Sequence, residues 1–230
     1  MLEGARLLDE ALASDVSLEA VFVVAGTHDA TVERARERGI TVQLLEVGVL
    51  ERVVDTVTPQ PVLSVARFLD VALGAVMTAT LVVVCIDIRD PGNLGTVLRS
   101  AEAAGAGAVV CCDGSVDIYN PKVVRASAGS LFHVPVVAGG EPVEVLERLG
   151  TAKLQRLGTA AEGGESLDEI DLRSPVAFVL GNEAHGLPER VDACIDRRVT
   201  IPMAGRTESL NVGMAAAVLC FEAARQRRAR

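Results

Sequence analysis

The sequence predicts an α/β fold with a mostly parallel sheet covered by helices on both faces. Short strand-like runs alternate with helical stretches along nearly the whole chain, and that alternation is the mark of parallel strands joined by helical crossovers. The run Leu81-Val82-Val83-Val84-Cys85-Ile86 is apolar without a break, as a strand buried on both faces must be. Aromatic residues are scarce, with no Trp, one Tyr and five Phe, so the core must be built from Val, Leu, Ile and Ala, which suits such strands. Half of the 230 residues are apolar, enough for one large domain or two small ones.

In order along the chain, residues 5–13 read as a helix and 20–25 as a strand. A helix over 31–38 runs into Gly39, the residue type that most readily takes the left-handed C-terminal position. Residues 41–45 read as a strand, 49–57 as a helix and 61–66 as a strand, which completes a small α/β unit. A partly helical linker leads to residue 80. The strand 81–86 follows, then a helix over 94–104, a strand over 108–112, a helix over 121–128, a strand over 134–137 and a helix over 142–149. Strands over 153–157, 176–180 and 198–201 come next, and an Ala-rich amphipathic helix over 212–226 closes the chain.

Composition excludes several classes. No charge-free apolar stretch reaches the ~18 residues a membrane span needs, and the start Met1-Leu2-Glu3-Gly4-Ala5-Arg6 lacks the basic-then-apolar layout of a secretory signal. A cytoplasmic protein is expected. The five cysteines form no CxxC pair and the three histidines are scattered, so buried thiols and no metal site are expected. Asp87 and Asp90 precede Pro91 and shape a loop. The net charge of −9 speaks against non-specific coating of nucleic acid but not against a local basic surface, which is what phosphates feel. The basic tail from Arg225 to Arg230 reads equally as such a surface or as a helix end whose dipole favours cations. A dinucleotide-binding enzyme is disfavoured because no GxGxxG opens a helix; Gly105-Ala106-Gly107 precedes a strand.

Three segments carry the chemistry. They are Asp87-Ile88-Arg89-Asp90-Pro91-Gly92-Asn93-Leu94-Gly95-Thr96-Val97-Leu98-Arg99-Ser100-Ala101, then Leu180-Gly181-Asn182-Glu183-Ala184-His185-Gly186-Leu187, then Ile201-Pro202-Met203-Ala204-Gly205-Arg206-Thr207-Glu208-Ser209-Leu210-Asn211-Val212-Gly213-Met214-Ala215. Each follows a strand-like run and turns through Gly or Pro, where backbone can approach a ligand closely. Asn93 precedes a helix that its side chain could cap, and Arg99 lies one to two turns further on. Ser209 and Asn211 sit at the start of the last helix, a second capping position. Lys122 and Arg125 in Asn120-Pro121-Lys122-Val123-Val124-Arg125 share a helix face and suit either RNA backbone or a salt-bridged surface.

In this order and spacing the three segments resemble the motifs of the SpoU/TrmH family, RNA ribose 2′-O-methyltransferases of the SPOUT class. The resemblance implies a parallel-sheet SPOUT domain with a C-terminal trefoil knot over residues 81–230, a linker over 69–80, and an L30e-like RNA substrate-binding domain over 1–68. That first domain is N-terminally short beside family members. It implies S-adenosylmethionine as cofactor, held by Thr159, Ala160, Leu180, Gly181, Asn182, Ile201, Met203, Ser209 and Leu210. Arg99, Asn93, Ser209, Asn211 and Glu183 become the catalytic set, and Arg89, Lys122 and Arg125 the RNA contacts. A guanidinium with a pKa above ~12 is a reluctant base, so Arg99 reads as a phosphate clamp that stabilises a developing alkoxide. The implied partners are RNA, with rRNA favoured over tRNA, and a second copy of the chain, with no DNA and no membrane. A catalytically inactive RNA-binding protein of the same fold is the alternative; it would be marked by loss of Asn93, Arg99, Ser209 or Asn211, and all four are present.

Overall fold

The computed structural model describes residues 1–54 and 56–229; the Asp55 step of the expected helix 49–57 and Arg230 of the basic tail lie outside the described residues. The chain forms two compact units, Met1–Leu69 and Asp70–Arg230.

The first unit contains β1 (Leu2–Glu3), α1 (Ala5–Ala13), β2 (Leu18–Val24), α2 (Ala30–Glu37), β3 (Val42–Leu45) and β4 (Val62–Ala66). Its sheet runs β1-β4-β2-β3, with β2 parallel to β3 and antiparallel to β4. Leu8 and Leu12 of α1 meet Val21, Val23, Val32, Ala35 and Val62 in its core. Gly39, at φ +76°, follows α2, and the next amide, Ile40 N, donates to Ala35 O at 3.0 Å. The helix expected over 49–57 is only a 3-10 turn, Leu50–Arg52. Val49, Val53, Val54 and Thr56 crowd that segment with β-branched side chains, which lose rotamer freedom in a helix, and Pro59 soon follows. Arg34 pairs with Asp9, Arg36 with Glu33 and Arg38 with Asp15, so the basic run of α2 is answered within its own unit.

The second unit opens with a segment that packs rather than dangles: Val71 N donates to Val136 O at 2.8 Å, and Val76, at the end of a 3-10 turn, is buried. Then come β5 (Leu81–Cys85), α3 (Pro91–Ala103), β6 (Ala108–Cys111), α4 (Pro121–Ser127), β7 (Val136–Ala138), α5 (Pro142–Thr151), β8 (Gln155–Thr159), β9 (Glu165–Ser166), β10 (Val176–Leu180), α6 (Glu189–Asp192), β11 (Arg197–Thr200) and α7 (Val212–Arg228). The sheet order is β7-β6-β5-β10-β8-β11-β9 and every pairing is parallel. Val82 and Val84 of β5, Ala177 and Val179 of β10, and Val145, Leu146 and Leu149 of α5 share one core layer. The alternate strand residues, Val83 and Phe178 among them, are equally buried on the other face. The strand expected over 153–157 starts two residues later, because α5 persists to Thr151 and Lys153 turns through φ +65°.

On the site side, α3 packs between α4 and α7. The approach is close at two glycines: a Cβ at Gly95 would lie 2.3 Å from Ala126 Cβ, and one at Gly213 would lie 2.8 Å from Thr96 Cβ. The far end of α7 is anchored by its polar residues. Buried Gln226 accepts from Leu172 N at 2.9 Å and donates to Ile170 O at 3.0 Å, while Arg227 donates to the carbonyls of Leu172, Thr80 and Ser174. Burial draws the Arg227 guanidinium below its ordinary pKa, and Arg225 is taken up by Glu222. Two of the arginines in the basic tail are thus structural.

All five cysteines are free, and only Cys194 reaches the surface. Burial pushes the Cys112 and Cys220 thiols up to about 12, and a hydrogen bond with Cys111, aided by burial, raises Cys85. Thiolates are the reactive form, so iodoacetamide at pH 8 is expected to add one group to the native protein, at Cys194. Intact-mass measurement checks this; several adducts before denaturation would mean that the sheet opens.

Candidate active site

The carboxyl ends of β8, β10 and β11, with the start of α7, enclose an open cleft of about 270 Å³. Open parallel sheets hold ligands at this end of their strands. β8 delivers Thr159 and Ala160 to the cleft, the loop after β10 delivers Gly181, Asn182 and Glu183, and the loop after β11 delivers Ile201, Met203, Ser209 and Leu210. Of the nine cofactor residues expected from the sequence, Leu180 alone does not line the cleft. It is the last residue of β10 and fully buried.

The loop after β10 is folded on itself. Asn182 N donates to Gly186 O at 3.0 Å and Gly186 N returns a bond to Asn182 O at 2.9 Å. Asn182 Oδ1 accepts from the amides of Ala184 and His185, and Asn182 Nδ2 donates to Asp87 O at 2.9 Å and Asp87 Oδ2 at 3.1 Å. Beneath β11, a fork from Arg156 to Asp196, at 2.9 and 2.6 Å, ties β8 to the turn that feeds the strand, and its hydrogen bonds hold the Asp196 carboxyl below its usual pKa.

A directed chain of hydrogen bonds links the three motifs. Asn211 caps α7, its Oδ1 accepting from Gly213 N at 2.9 Å and Met214 N at 3.3 Å. Its amide nitrogen must therefore face away, and it donates to Asn93 Oδ1 at 2.7 Å. Asn93 in turn has only its nitrogen left to give, and Nδ2 donates to Glu183 Oε1 at 2.6 Å. Each bond fixes the orientation of the next amide, and the chain runs from the positive end of α7 to a carboxylate, so the bonds polarise one another favourably. Asn93 is not the cap of α3. That role belongs to Asp90, whose side chain accepts from Asn93 N at 2.8 Å while Pro91 takes the first helical position. Ser209 does not cap α7; it lines the cleft.

The cations stand outside the cleft. Arg99 is exposed on α3, two turns from the helix start, and makes no side-chain hydrogen bond or ion pair among the described residues. Lys122 is exposed on α4 and Arg125 half-buried. Arg89 is already engaged, its Nε 2.8 Å from Asp87 Oδ1.

Comparison with known proteins decides the family. The model of the SpoU rRNA Methylase family matches residues 80–221, and that of the RNA 2′-O ribose methyltransferase substrate-binding domain matches residues 1–71. The chain belongs to the SpoU rRNA methylase family. The 23S rRNA (guanosine(2553)-2′-O)-methyltransferase RlmP of Bacillus subtilis is 35% identical over 96% of this chain and 86% of its own. The 23S rRNA (guanosine-2′-O-)-methyltransferase RlmB of Xanthomonas axonopodis is 37% identical over 94% of each chain. Among solved structures, the SpoU methyltransferase AviRb of Streptomyces viridochromogenes, in complex with the cofactor AdoMet (S-adenosylmethionine), superposes with a TM-score of 0.86 at 27% identity, covering 100% of this chain and 90% of that one.

The residues of this SpoU protein fit an adenosyl cofactor. Ala160, Val199, Ile201, Leu210 and Leu219 give the cleft apolar walls, and Gly181 brings bare backbone to its edge; apolar walls with a few placed polar groups are what small-ligand sites share. Sequence reasoning missed Val212, Ala215 and Leu219, which present one face of α7 to the cleft. Their spacing of three and four was a visible signal of an amphipathic helix face, but nothing in it says that the face meets a ligand. Among the described residues there is no group of three or more His, Cys, Asp or Glu able to hold a metal ion, and no helix long and apolar enough to cross a membrane.

Proposed function

We propose that this protein methylates a ribose 2′-hydroxyl of ribosomal RNA. The reaction class is S-adenosylmethionine-dependent RNA 2′-O-methylation, as family membership and the cleft require. The preference for rRNA over tRNA is supported by the 23S rRNA enzymes that match nearly the whole chain. The observation that carries the reading is the hydrogen-bond chain from Asn211 through Asn93 to Glu183, which ends on a carboxylate lining the cleft.

When bound, S-adenosylmethionine supplies a methyl group activated on a positive sulfonium. Thr159, Ala160, Gly181, Asn182, Ile201, Met203, Ser209 and Leu210 would hold it, and Glu183 adds a negative charge at the cleft wall. Asn93 fixes the carboxylate of Glu183, and Asn211 fixes Asn93. Arg99 and Lys122, exposed and without side-chain partners among the described residues, are available for RNA phosphates. Arg99 acts as a clamp and as a charge that favours the alkoxide developing on the ribose, because a guanidinium gives up its proton too reluctantly to be a base. Arg89 and Arg125 complete the RNA face.

The same reading includes a SPOUT-type trefoil knot, supported by the entry of β10 between β5 and β8 and by the pinning of the Asn182 loop to Asp87. It includes an L30e-like character for the first unit, supported by the substrate-binding match over residues 1–71. It also includes a homodimer. Met214, Val218 and Phe221 are 60, 39 and 46% exposed at helical spacing on α7, an apolar stripe that a second copy would cover.

The test is incubation with methyl-labelled S-adenosylmethionine and total RNA from cells lacking this gene. Label recovered as a 2′-O-methylnucleoside from the large ribosomal RNA is expected. Label in tRNA would overturn the preference, and label on a base would overturn the reaction. Cofactor binding without any transfer would favour an inactive RNA-binding protein.

A further inference from the structure

Asp87 stands where two parts of the site meet, in a conformation that costs energy to hold. Its φ is +55°, in the left-handed region that residues other than glycine enter only at a cost, Asp and Asn least reluctantly. The next residue is braced: Ile88 N donates to Ser115 Oγ at 3.3 Å, and Ile88 O accepts from Val116 N at 2.8 Å. The outcome is a carboxylate, 27% exposed, with two partners that lead in different directions. Oδ2 accepts from Asn182 Nδ2 at 3.1 Å, and Asn182 belongs to the cleft wall. Oδ1 accepts from Nε of Arg89, which is 75% exposed and faces solvent.

We infer that Asp87 is a positioning residue that links the two substrates: it holds the Asn182–Gly186 loop in its cofactor-binding shape and restrains Arg89 until a phosphate takes that cation over. The inference rests on reading the cleft as the S-adenosylmethionine site. Its physical content is competition for one carboxylate. While Arg89 is paired, the charge of Asp87 is shared between a guanidinium and an amide. When a phosphate captures Arg89, Asn182 becomes the sole side-chain partner of the carboxylate among the described residues, and a carboxylate freed of its cation is the stronger acceptor for it. RNA engagement thereby tightens the loop, and reciprocity requires that cofactor binding favour RNA to the same degree. A purely structural Asp87 would show no such opposition, because its loss would weaken both sides together. Strain retained at a site that over-determines it is the setting in which such a role is found.

The experiment measures two affinities in the full-length protein, S-adenosylhomocysteine by calorimetry and total RNA by filter binding. Phosphate contacts are independent of sequence, so the target need not be known. Asp87→Asn keeps the size and the tolerance of the left-handed conformation. It is expected to weaken S-adenosylhomocysteine by about 3- to 10-fold, since a charged acceptor is replaced by a neutral one, while RNA binding is unchanged or tighter. Arg89→Gln should give the opposite split, weaker RNA with S-adenosylhomocysteine no weaker than wild type. Unchanged S-adenosylhomocysteine affinity in Asp87→Asn would overturn the inference. So would a parallel fall of both affinities with the melting temperature. Wild-type protein that binds no S-adenosylhomocysteine would sink the site reading itself, a separate result visible before any variant is made.

Discussion

Gly181→Ala is expected to weaken S-adenosylmethionine binding about 100-fold. A Cβ at this position would lie 2.5 Å from Gly186 C, 2.6 Å from Gly186 O and 2.8 Å from Leu187 N. All three are backbone atoms, so no rotamer change relieves the contact. The Asn182–Gly186 loop is held against Gly181 by its own pair of backbone hydrogen bonds, and it can yield only by breaking them or by tearing Asn182 from Asp87. Overpacking of this kind costs about 1–3 kcal/mol, and here the strain falls on a wall of the cleft, where ~2.7 kcal/mol corresponds to ~100-fold in affinity. Gly205→Ala is the matched control, because a Cβ there meets nothing within 4 Å and the position has no positive φ. Calorimetry on the two variants decides the matter. Wild-type affinity in Gly181→Ala would show that the cofactor does not depend on this loop.

The parallel α/β plan was legible because strand and helix periodicities are local properties. The unbroken apolar run at 81–86 announced a central strand, and β5 lies third from one edge of a seven-strand sheet. Segments failed where competing local terms were close. The stretch 49–57 carried helical spacing but too many β-branched residues, and it keeps only the turn Leu50–Arg52. α3 starts three residues before the expected 94, because Asp90 and Asn93 are both good capping residues and Pro91, suited to the first helical position, settles the choice for Asp90. The motifs marked which loops form the site, yet they did not reveal how those loops are wired. Asn182 reaches Asp87 across 95 positions, and Asn211 reaches Asn93 across 118. No spacing encodes such a pairing, since it depends on which strand ends the sheet order brings together. Arg227 shows the same limit: in the sequence it is one more cation in a basic tail, and in the fold it binds three carbonyls.

Replacing Asn93 tests whether the hydrogen-bond chain serves catalysis, and here the substituent matters. Asn93→Ala removes the donor to Glu183 and the acceptor for Asn211 at once. Asn211 loses a neutral hydrogen bond, worth about 0.5–1.5 kcal/mol net, and Glu183 a bond to a charged group, worth about 1.5–3 kcal/mol, so kcat is expected to fall roughly 30- to 100-fold. Asn93 does not line the cleft, so S-adenosylhomocysteine affinity should stay within about threefold. Asn93→Asp is nearly the same shape and still accepts from Asn211, but it sets a carboxylate where the 2.6 Å donor to Glu183 had been. Two carboxylates at that separation cannot both ionise without cost, so one pKa of the pair rises. Above the raised pKa the pair is doubly charged and repels, and the chain is broken. Below it a shared proton restores an O–H donor between the two residues. The Asp variant is therefore expected to be at least as impaired as the Ala variant near pH 8 and to regain activity relative to it as the pH falls from there toward the ordinary carboxylate range. If the ratio of the two rates instead stays constant across that range, Asn93 and Glu183 do not interact in the working enzyme, and the chain seen here is a feature of the resting fold alone.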